Sequence, residues 1–480
     1  MRGAVAAGHP LTAAAGARVL AAGGSAVDAC VGAAFASWVC ESMLTGPGGG
    51  GFMLVHRARD GRTRVFDFMV TVPRAAPAAA GELLRLAVDF DGDTQQVFHT
   101  GAAAVAVPGT ALGLEAAHRR FGRLPWAELV APAARLAREG VELTPAQGYL
   151  HRILDGLLRH SPEGDAMYGA GGRPYRAGER FALPELAETL ERIGAEGAGA
   201  LYRGEVARRV VKHVRAGGGS VSLADLAGYR VIERRPVVVA YRGHEFRSNP
   251  PPSSGGLLVA YGLRALGDGE PAPEALVAAM EAQDAVRGGA FVRALHRGGV
   301  TARLLSGTTH ISVVDARGDA ASLSASLGSG SGVVVPGTGI HLNNMLGEAD
   351  LREHARPGER LTSMMAPSLV LRDGRPRLVL GSAGSARLRG AILQVVVNVV
   401  AKGMGVEEAV EAPRLHAEEG VVYCEDATVA DKLEVQGHEV VRFKRRNLYF
   451  GGVSAVELPA DGRLAAAGDP RRGGAGVVVA

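Results

Sequence analysis

The tightest constraint in this chain is a hairpin signal in its second half. Gly307-Thr308-Thr309-His310-Ile311-Ser312-Val313-Val314 opens with a glycine and two adjacent hydroxyls and continues as a β-strand. Asp315-Ala316-Arg317-Gly318 supplies a turn, and Ala320 to Ser326 reads as the returning strand, with hydroxyls at Ser322, Ser324 and Ser326. Counting back from a four-residue loop sets Thr308 opposite Ala325, with Ser326 beside it. A threonine hydroxyl at the head of a strand is a weak nucleophile unless a base activates it. Cutting the chain ahead of the threonine makes its own α-amino group that base, with a pKa of about 8 that lies near working pH. The stretch alone also reads as an ordinary hairpin with polar outward positions, and His310 reads as structural rather than as a base.

Earlier in the chain, Pro10 to Ala22 has the pattern of a short helix stopped by Gly23-Gly24. Ser25 with Asp28 three residues on makes a capping box for a second helix reaching about Met43, apolar nearly all round and therefore buried. The glycine run from Gly46 to Gly51 satisfies G-x-G-x-x-G, but it follows a helix and precedes a strand. That is the reverse of a dinucleotide site, so close backbone packing is the expectation. Strands are expected at Phe52 to His56 and Phe66 to Val70, and a helical region from Val105 to about Val210. A new helix start falls at Ser222, a strand at Val237 to Tyr241, a rigid turn at Asn249 to Gly256 and helix from Gly267 to Thr301. Strand pairs follow near Val333 and Ile340 and around Asp373-Gly374. Gly381-Ser382-Ala383-Gly384-Ser385 reads as a tight loop ahead of a helix from Leu388 to Ala401, whose N–H groups could bind an oxyanion. Strands and helices in separate blocks predict a layered α+β architecture.

Composition narrows the chemistry. The chain has 480 residues, 47% hydrophobic and 21% charged, with a formal net charge of +4, which describes a folded globular chain with room for a large core, as one big domain or two to three smaller ones. Its one basic cluster, Lys444-Arg445-Arg446, reads as a solvated turn rather than a nucleic-acid footprint. Three cysteines, Cys30, Cys40 and Cys424, give neither a metal spacing nor a disulfide framework. The serine-hydrolase elbow, the H-E-x-x-H zinc motif and the phosphate loop are absent, and no cofactor is implied. With no signal-peptide pattern and no apolar run of membrane-spanning length, a cytoplasmic protein is expected.

These pieces together resemble the γ-glutamyltranspeptidase family, collinearly over nearly the whole chain. The carrying motifs are Gly23 to Ala29, Gly48 to Phe52, Val107-Pro108-Gly109, Pro132 to Thr144 and Pro250 to Gly256. Gly307 to Ser312, Asn343-Asn344, Ser363 to Pro367, Gly381 to Ser385 and Asp469 to Gly474 complete the series. The resemblance implies an N-terminal-nucleophile hydrolase of four-layer αββα fold, made as a precursor that cuts itself at Gly307–Thr308. The products would be a large chain, 1–307, and a small chain, 308–480, together forming one domain. Thr308 would attack a small-molecule amide or acyl substrate, and the acyl group would pass to water or an amino acceptor. Ser326 matches the hydroxyl that assists the nucleophile, Gly384 and Ser385 the two-residue oxyanion loop, and Thr362 and Ser363 the hydroxyl pair at the substrate end.

Departures from the pattern bear on the substrate. Where γ-glutamyl-binding members carry an arginine for the α-carboxylate, this chain has Met69, and a carboxylate buried without its partner costs about 2–5 kcal/mol. Gly328 replaces an asparagine that contacts the glutamyl group. Asn344 is retained, and Glu348 matches the acidic residue that holds the α-amine. The lid loop before Leu361 is too short to exist, and Arg74 or Arg387 is a candidate substitute for the missing arginine. Three readings follow: a γ-glutamyl hydrolase or transferase; the same machinery on another acyl group; and an uncleaved, non-catalytic scaffold. The second covers a glutaryl-type amide, as in the cephalosporin-acylase relatives, or C–C bond cleavage in a biosynthetic intermediate. A homo-oligomer remains open; neither nucleic acid nor membrane is expected as a partner.

Overall fold

The computed structural model describes residues 2–75, 81–89, 95–286, 307–347, 356–384, 387–459 and 461–480. Two antiparallel sheets lie face to face. The first has seven strands in the order Ala475–Val479, Gly3–Ala7, Gly307–Asp315, Ala320–Gly328, Gly50–Arg57, Arg62–Asp67 and Ile232–Arg234. The second has six, in the order Ala465–Gly468, Gly452–Glu457, Arg375–Ala383, Ser368–Arg372, His244–Ser248 and Val237–Tyr241. Phe52, Leu54, Val65 and Val314 from the first sheet pack on Leu369, Val379 and Val456 from the second. Helices including Pro10–Ala21, Ala26–Cys40 and Trp126–Glu139 cover the outer face of the first sheet. Gly255–Leu266, Pro273–Val286 and Leu388–Val400 cover that of the second. The architecture is the αββα sandwich, with the predicted hairpin at its centre. Both strands of that hairpin are buried at every position but Gly307, because a helix layer closes one face and the second sheet the other.

Local signals predict the local elements well. Ser25 and Asp28 form the reciprocal capping box, and the helix they start is buried at all 15 positions. Ser222 and Asp225 do the same for Leu223–Gly228. The glycine run exists for close packing: a side chain at Gly49 or Gly51 would strike the carbonyls of Ser326 or Ser324, and one at Gly48 the carbonyl of His341.

Elsewhere tertiary pairing overrides the sequence expectation. Thr308 lies directly opposite Ser326, and Thr309 opposite Ala325, one residue away from the predicted register. Five residues, Asp315 to Asp319, separate the last pair, Val314 and Ala320, with Asp315 accepting from the amides of Arg317 and Asp319 at 2.9 and 3.1 Å. The Gly381–Ala383 stretch is strand rather than loop, because Ala383 pairs with Gly452 on a strand some 70 positions later. The strand expected to reach Val70 ends at Asp67. The helical region after Val107 is broken into several helices and interrupted by the short pair Val141–Glu142 and Arg180–Phe181. The later helix is described as Pro273–Val286, and its expected continuation to Thr301 lies outside the described residues.

Candidate active site

The strand Gly3–Ala7 pairs with Gly307–Asp315 only as far as Ala7 opposite Ile311. The head of the latter strand, Gly307 to His310, therefore extends past its neighbour. A cavity of about 450 Å³ opens along that head, lined by Thr308, Thr309 and His310, by Gly8, His9 and Glu41, and by the C-terminal turn Asp469 to Arg472. The hydroxyl of Thr308 is buried and has no hydrogen-bond partner among the described residues. Ser326, directly across, donates its hydroxyl to the carbonyl oxygen of Gly307 and accepts from the amide of Gly328 at 2.8 Å. An unsatisfied buried hydroxyl costs about 1–3 kcal/mol, and this one belongs to the residue that follows the carbonyl engaged by Ser326.

Thr309 points to the other face of the strand and is fully engaged. Its Oγ1 donates to Glu41 Oε2 at 2.6 Å, and Thr12 Oγ1 donates to Glu41 Oε1 at 3.0 Å. Burial pushes the Glu41 carboxyl up from its ordinary range, while the two hydroxyls and the Arg472 guanidinium pull it back. His310 is fully buried, and desolvation lowers it to about 3. Its ring nitrogens meet the hydroxyls of Ser324 at 2.8 Å and Ser312 at 3.0 Å. Ser312 in turn donates to the Ser454 carbonyl of the second sheet at 3.0 Å. A neutral ring tied into serine hydroxyls is a structural cross-tie between sheets, not a base near neutral pH.

The floor of the cavity is held by buried ion pairs. Asp469 accepts from Arg414 at 2.6 Å and Arg471 at 3.3 Å, and from the Val453 amide at 3.0 Å. These cations hold its carboxyl below the usual range despite burial. Arg471 also pairs with Glu425. The turn carrying Arg472 is thus fixed against the strand Gly452–Glu457.

Of the residues singled out in the sequence, Thr308 and Ser326 meet across the strand pair, with Gly307 and Gly328 as the next pair. Gly384, at φ 127°, lies where an added side chain would strike Gly451 and stand 3.6 Å from Nη2 of Arg472, a residue that lines the cavity. Ser385 and Glu348 lie outside the described residues, as does most of the segment before Leu361. Met69 does not line the cavity; it is buried among Phe52, Val70, Leu361 and Met365 between the sheets. Asn344 is tied down, accepting from the Ser329 amide at 2.9 Å and donating to Ser329 Oγ at 2.6 Å and the His99 carbonyl at 3.1 Å. Ser363 accepts at its carbonyl from Ser253 at 2.6 Å, and Thr362 is buried beside it. Arg74 packs against Gly358, and Arg387 stacks over the Tyr449 ring at 4.5 Å; neither lines the cavity. Sequence reasoning missed Glu41 and Arg472. Glu41 carries a weak signal as an acidic residue ending an otherwise apolar helix, and Arg472 carries none beyond its motif.

A family model described as Gamma-glutamyltranspeptidase matches residues 12–283 and 278–479. The chain belongs to the γ-glutamyltranspeptidase family. It is 37% identical to the acylase ACY 1 proenzyme of Pseudomonas sp. (strain SE83), over 100% of this chain and 94% of that protein. It is 32% identical to the glutathione hydrolase proenzyme of Pseudomonas sp. (strain A14), over 86% of this chain and 81% of that one. Among solved structures, the cephalosporin acylase of Bacillus halodurans superimposes with a TM-score of 0.84 at 25% identity, covering 99% of this chain and 95% of its own. The family the motifs resemble is the family shown, and the fold is that of its N-terminal-nucleophile hydrolases. Enzymes of this class are hydrolases, and both an acylase and a glutathione hydrolase stand among the similar proteins.

Proposed function

We propose that the chain is a self-processing amidohydrolase whose nucleophile is Thr308. The observation that carries this reading is the juxtaposition of an unpartnered Thr308 hydroxyl with the Gly307 carbonyl that accepts from Ser326. In the first step Thr308 Oγ adds to the Gly307 carbonyl carbon, and Ser326 stabilises the oxygen as charge develops on it. The C–N bond breaks, and the proton from the hydroxyl goes to the departing nitrogen. This leaves an ester to Thr308 Oγ and a free α-amine. Water hydrolyses the ester, releasing Gly307 as a carboxylate and residues 308–480 with an N-terminal threonine.

In turnover the new α-amine takes the proton from Oγ as it attacks a substrate amide. Gly384 and Ser385 match the family's oxyanion loop, and their N–H groups would receive the oxyanion. The amine then protonates the leaving nitrogen, and water or an amino acceptor removes the acyl group. The acylase-like reading is favoured over γ-glutamyl transfer. Met69, at the position of the family's carboxylate-binding arginine, packs in the inter-sheet core, and the 37% relative bears an acylase name. The γ-glutamyl reading rests on the 32% relative.

Intact-mass measurement of the wild type beside Thr308→Ala tests the nucleophile. Two chains split at Gly307–Thr308 in the wild type and one chain in the variant are expected. A single 480-residue chain in both would overturn the reading and leave the non-catalytic scaffold.

A further inference from the structure

A second cavity stands at the other end of the central hairpin, and the self-processing reading makes no use of it. Thr308 lies at the head of the strand Gly307–Asp315 and Asp315 closes it, so roughly 23 Å of strand separate the nucleophile from the hairpin turn. Beside that turn lies a space of about 400 Å³ whose lining includes Arg57, Arg59, Arg120, Arg123 and Arg317. They come from three places far apart in the chain. Arg57 and Arg59 belong to the turn between the strands Gly50–Arg57 and Arg62–Asp67, Arg120 and Arg123 to the end of the helix Thr110–Phe121, and Arg317 to the hairpin turn itself.

These arginines are not equivalent. Arg57 is paired with Asp60, and Arg123 donates to Asp315 at 3.1 Å and to Asp319 at 3.2 Å. The guanidinium groups of Arg59, Arg120 and Arg317 have neither a hydrogen bond nor an ion pair among the described residues. The carboxylates around them are spent on tying the three loops together. Asp319, the one acidic residue of the lining, accepts from the Ala58 amide at 2.8 Å as well as from Arg123. Asp315 accepts from the amides of Arg317 and Asp319, and Asp28 accepts from the Arg123 amide at 2.8 Å. The helix Ala26–Cys40 begins beside the space, but its first amide goes to Asp315 at 3.2 Å, so the site rests on the arginines. Three cations are thus held around one fixed concavity without counter-charges, in a chain whose whole formal charge is +4. Like charges gathered this way repel one another, and an anion bound among them removes that cost.

We propose that this space is a binding site for a small oligophosphate, a chain of two or more linked phosphates, separate from the cavity that contains Thr308. Guanidinium groups reaching in from three loops suit tetrahedral phosphoryl groups, whose oxygens accept from several directions, whereas a planar carboxylate is met by a single fork. Linked phosphates bring enough charge in a compact volume to answer three cations at once. The arginines ring one concavity instead of running along a stripe, which favours a small ligand over a nucleic-acid backbone. A space of about 400 Å³ is of the size that small-molecule sites have. The free arginines are exposed, so they hold the ligand without taking part in the core.

The test is calorimetric titration of the full-length protein, whatever its state of self-cleavage, with inorganic tripolyphosphate, ATP without magnesium, inorganic phosphate and citrate. Tripolyphosphate should bind once per chain and roughly 10-fold or more tighter than phosphate. Replacing all three free arginines (Arg59→Gln, Arg120→Gln and Arg317→Gln) should weaken tripolyphosphate by roughly 30-fold or more, with each single change costing less. Arg192→Gln, an exposed arginine on the helix Pro184–Glu196, should bind as the wild type does, which separates the site from net charge. An unchanged thermal melt of the triple variant reports an intact fold. Equal affinity for tripolyphosphate and ATP would identify a free phosphate chain as the ligand, and tighter ATP a nucleoside phosphate; both support the site. Several weak sites per chain, or full binding by the triple variant, would overturn it in favour of diffuse surface attraction. Tripolyphosphate no tighter than phosphate, or citrate as tight as tripolyphosphate, would overturn the oligophosphate assignment. None of these outcomes depends on whether Thr308 is the nucleophile.

Discussion

Two regions of the inter-sheet seam, one around Thr308 and one around Met69, are built from the same materials and end in opposite states. Around Met69 the polar groups are largely spent on one another, and Arg360 Nε, which makes no hydrogen bond among the described residues, still stands 3.6 Å from the Asp67 carboxylate. Asp67 accepts from Arg234 at 2.8 Å and from the Met69 amide at 3.1 Å. The Met69 carbonyl accepts from Tyr229 at 2.8 Å and from Arg360, whose guanidinium lies 4.5 Å over the Tyr229 ring. Around Thr308 a hydroxyl and a guanidinium nitrogen of residues that line a cavity have no hydrogen-bond partner among the described residues. Reactivity belongs where the fold withholds an internal partner, because only there does a ligand gain by supplying one.

The sharpest way to break this contrast is Met69→Arg. If Met69 occupied a binding site, an arginine there would raise activity on γ-glutamyl amides. In a sealed core already holding Arg360 and Arg234, it buries an unpaired cation instead, with an expected loss of about 3–5 kcal/mol and no gain in γ-glutamyl turnover. Thermal unfolding and a γ-glutamyl-p-nitroanilide assay read both. Asp469→Ala attacks the open region from below, leaving Arg414 and Arg471 without their shared carboxylate. An equal loss of about 3–5 kcal/mol is expected, together with slower self-cleavage on a gel time course, since the turn carrying Arg472 loses its anchor.

Acid sharpens the comparison less strongly. His310, by the open region, and His341, near Tyr168, are both held neutral by burial and lowered to about 3. The unfolded chain binds their protons below about 6.5, so stability present at neutral pH falls as pH drops from there toward 3. The expected slope is roughly 1.4 kcal/mol per pH unit for each histidine, read by denaturant unfolding between pH 7.5 and 5. The smallest effect is expected for Thr309→Val, which removes one of two donors to Glu41. A loss of about 1–2 kcal/mol with self-cleavage preserved would separate this hydroxyl from the one beside it; arrest of cleavage would not.

Much of this was legible in the chain itself. The capping boxes at Ser25 and Ser222, the hairpin carrying Thr308 and Ser326, the packing role of the glycine run and the family all follow from short-range patterns or their order. Boundaries failed where distant strands pair. Gly381 to Ala383 carries turn residues yet is strand, because the strand Gly452–Glu457 claims its backbone groups. The hairpin register slipped by one residue because the turn spends five residues rather than four. Met69 was legible as a departure, but its burial was not.

By itself the sequence determined which elements form, which hydroxyl heads a central strand and which family the chain belongs to, since each depends on residues a few positions apart or on collinear motifs. Only the tertiary structure decided that Glu41 holds Thr309 across 268 positions, that Arg472 from the far end of the chain stands beside Gly384, and that the Thr308 hydroxyl has no partner among the described residues. Those facts turn on which polar groups the packed layers satisfy and which they leave open, a balance that no local pattern encodes.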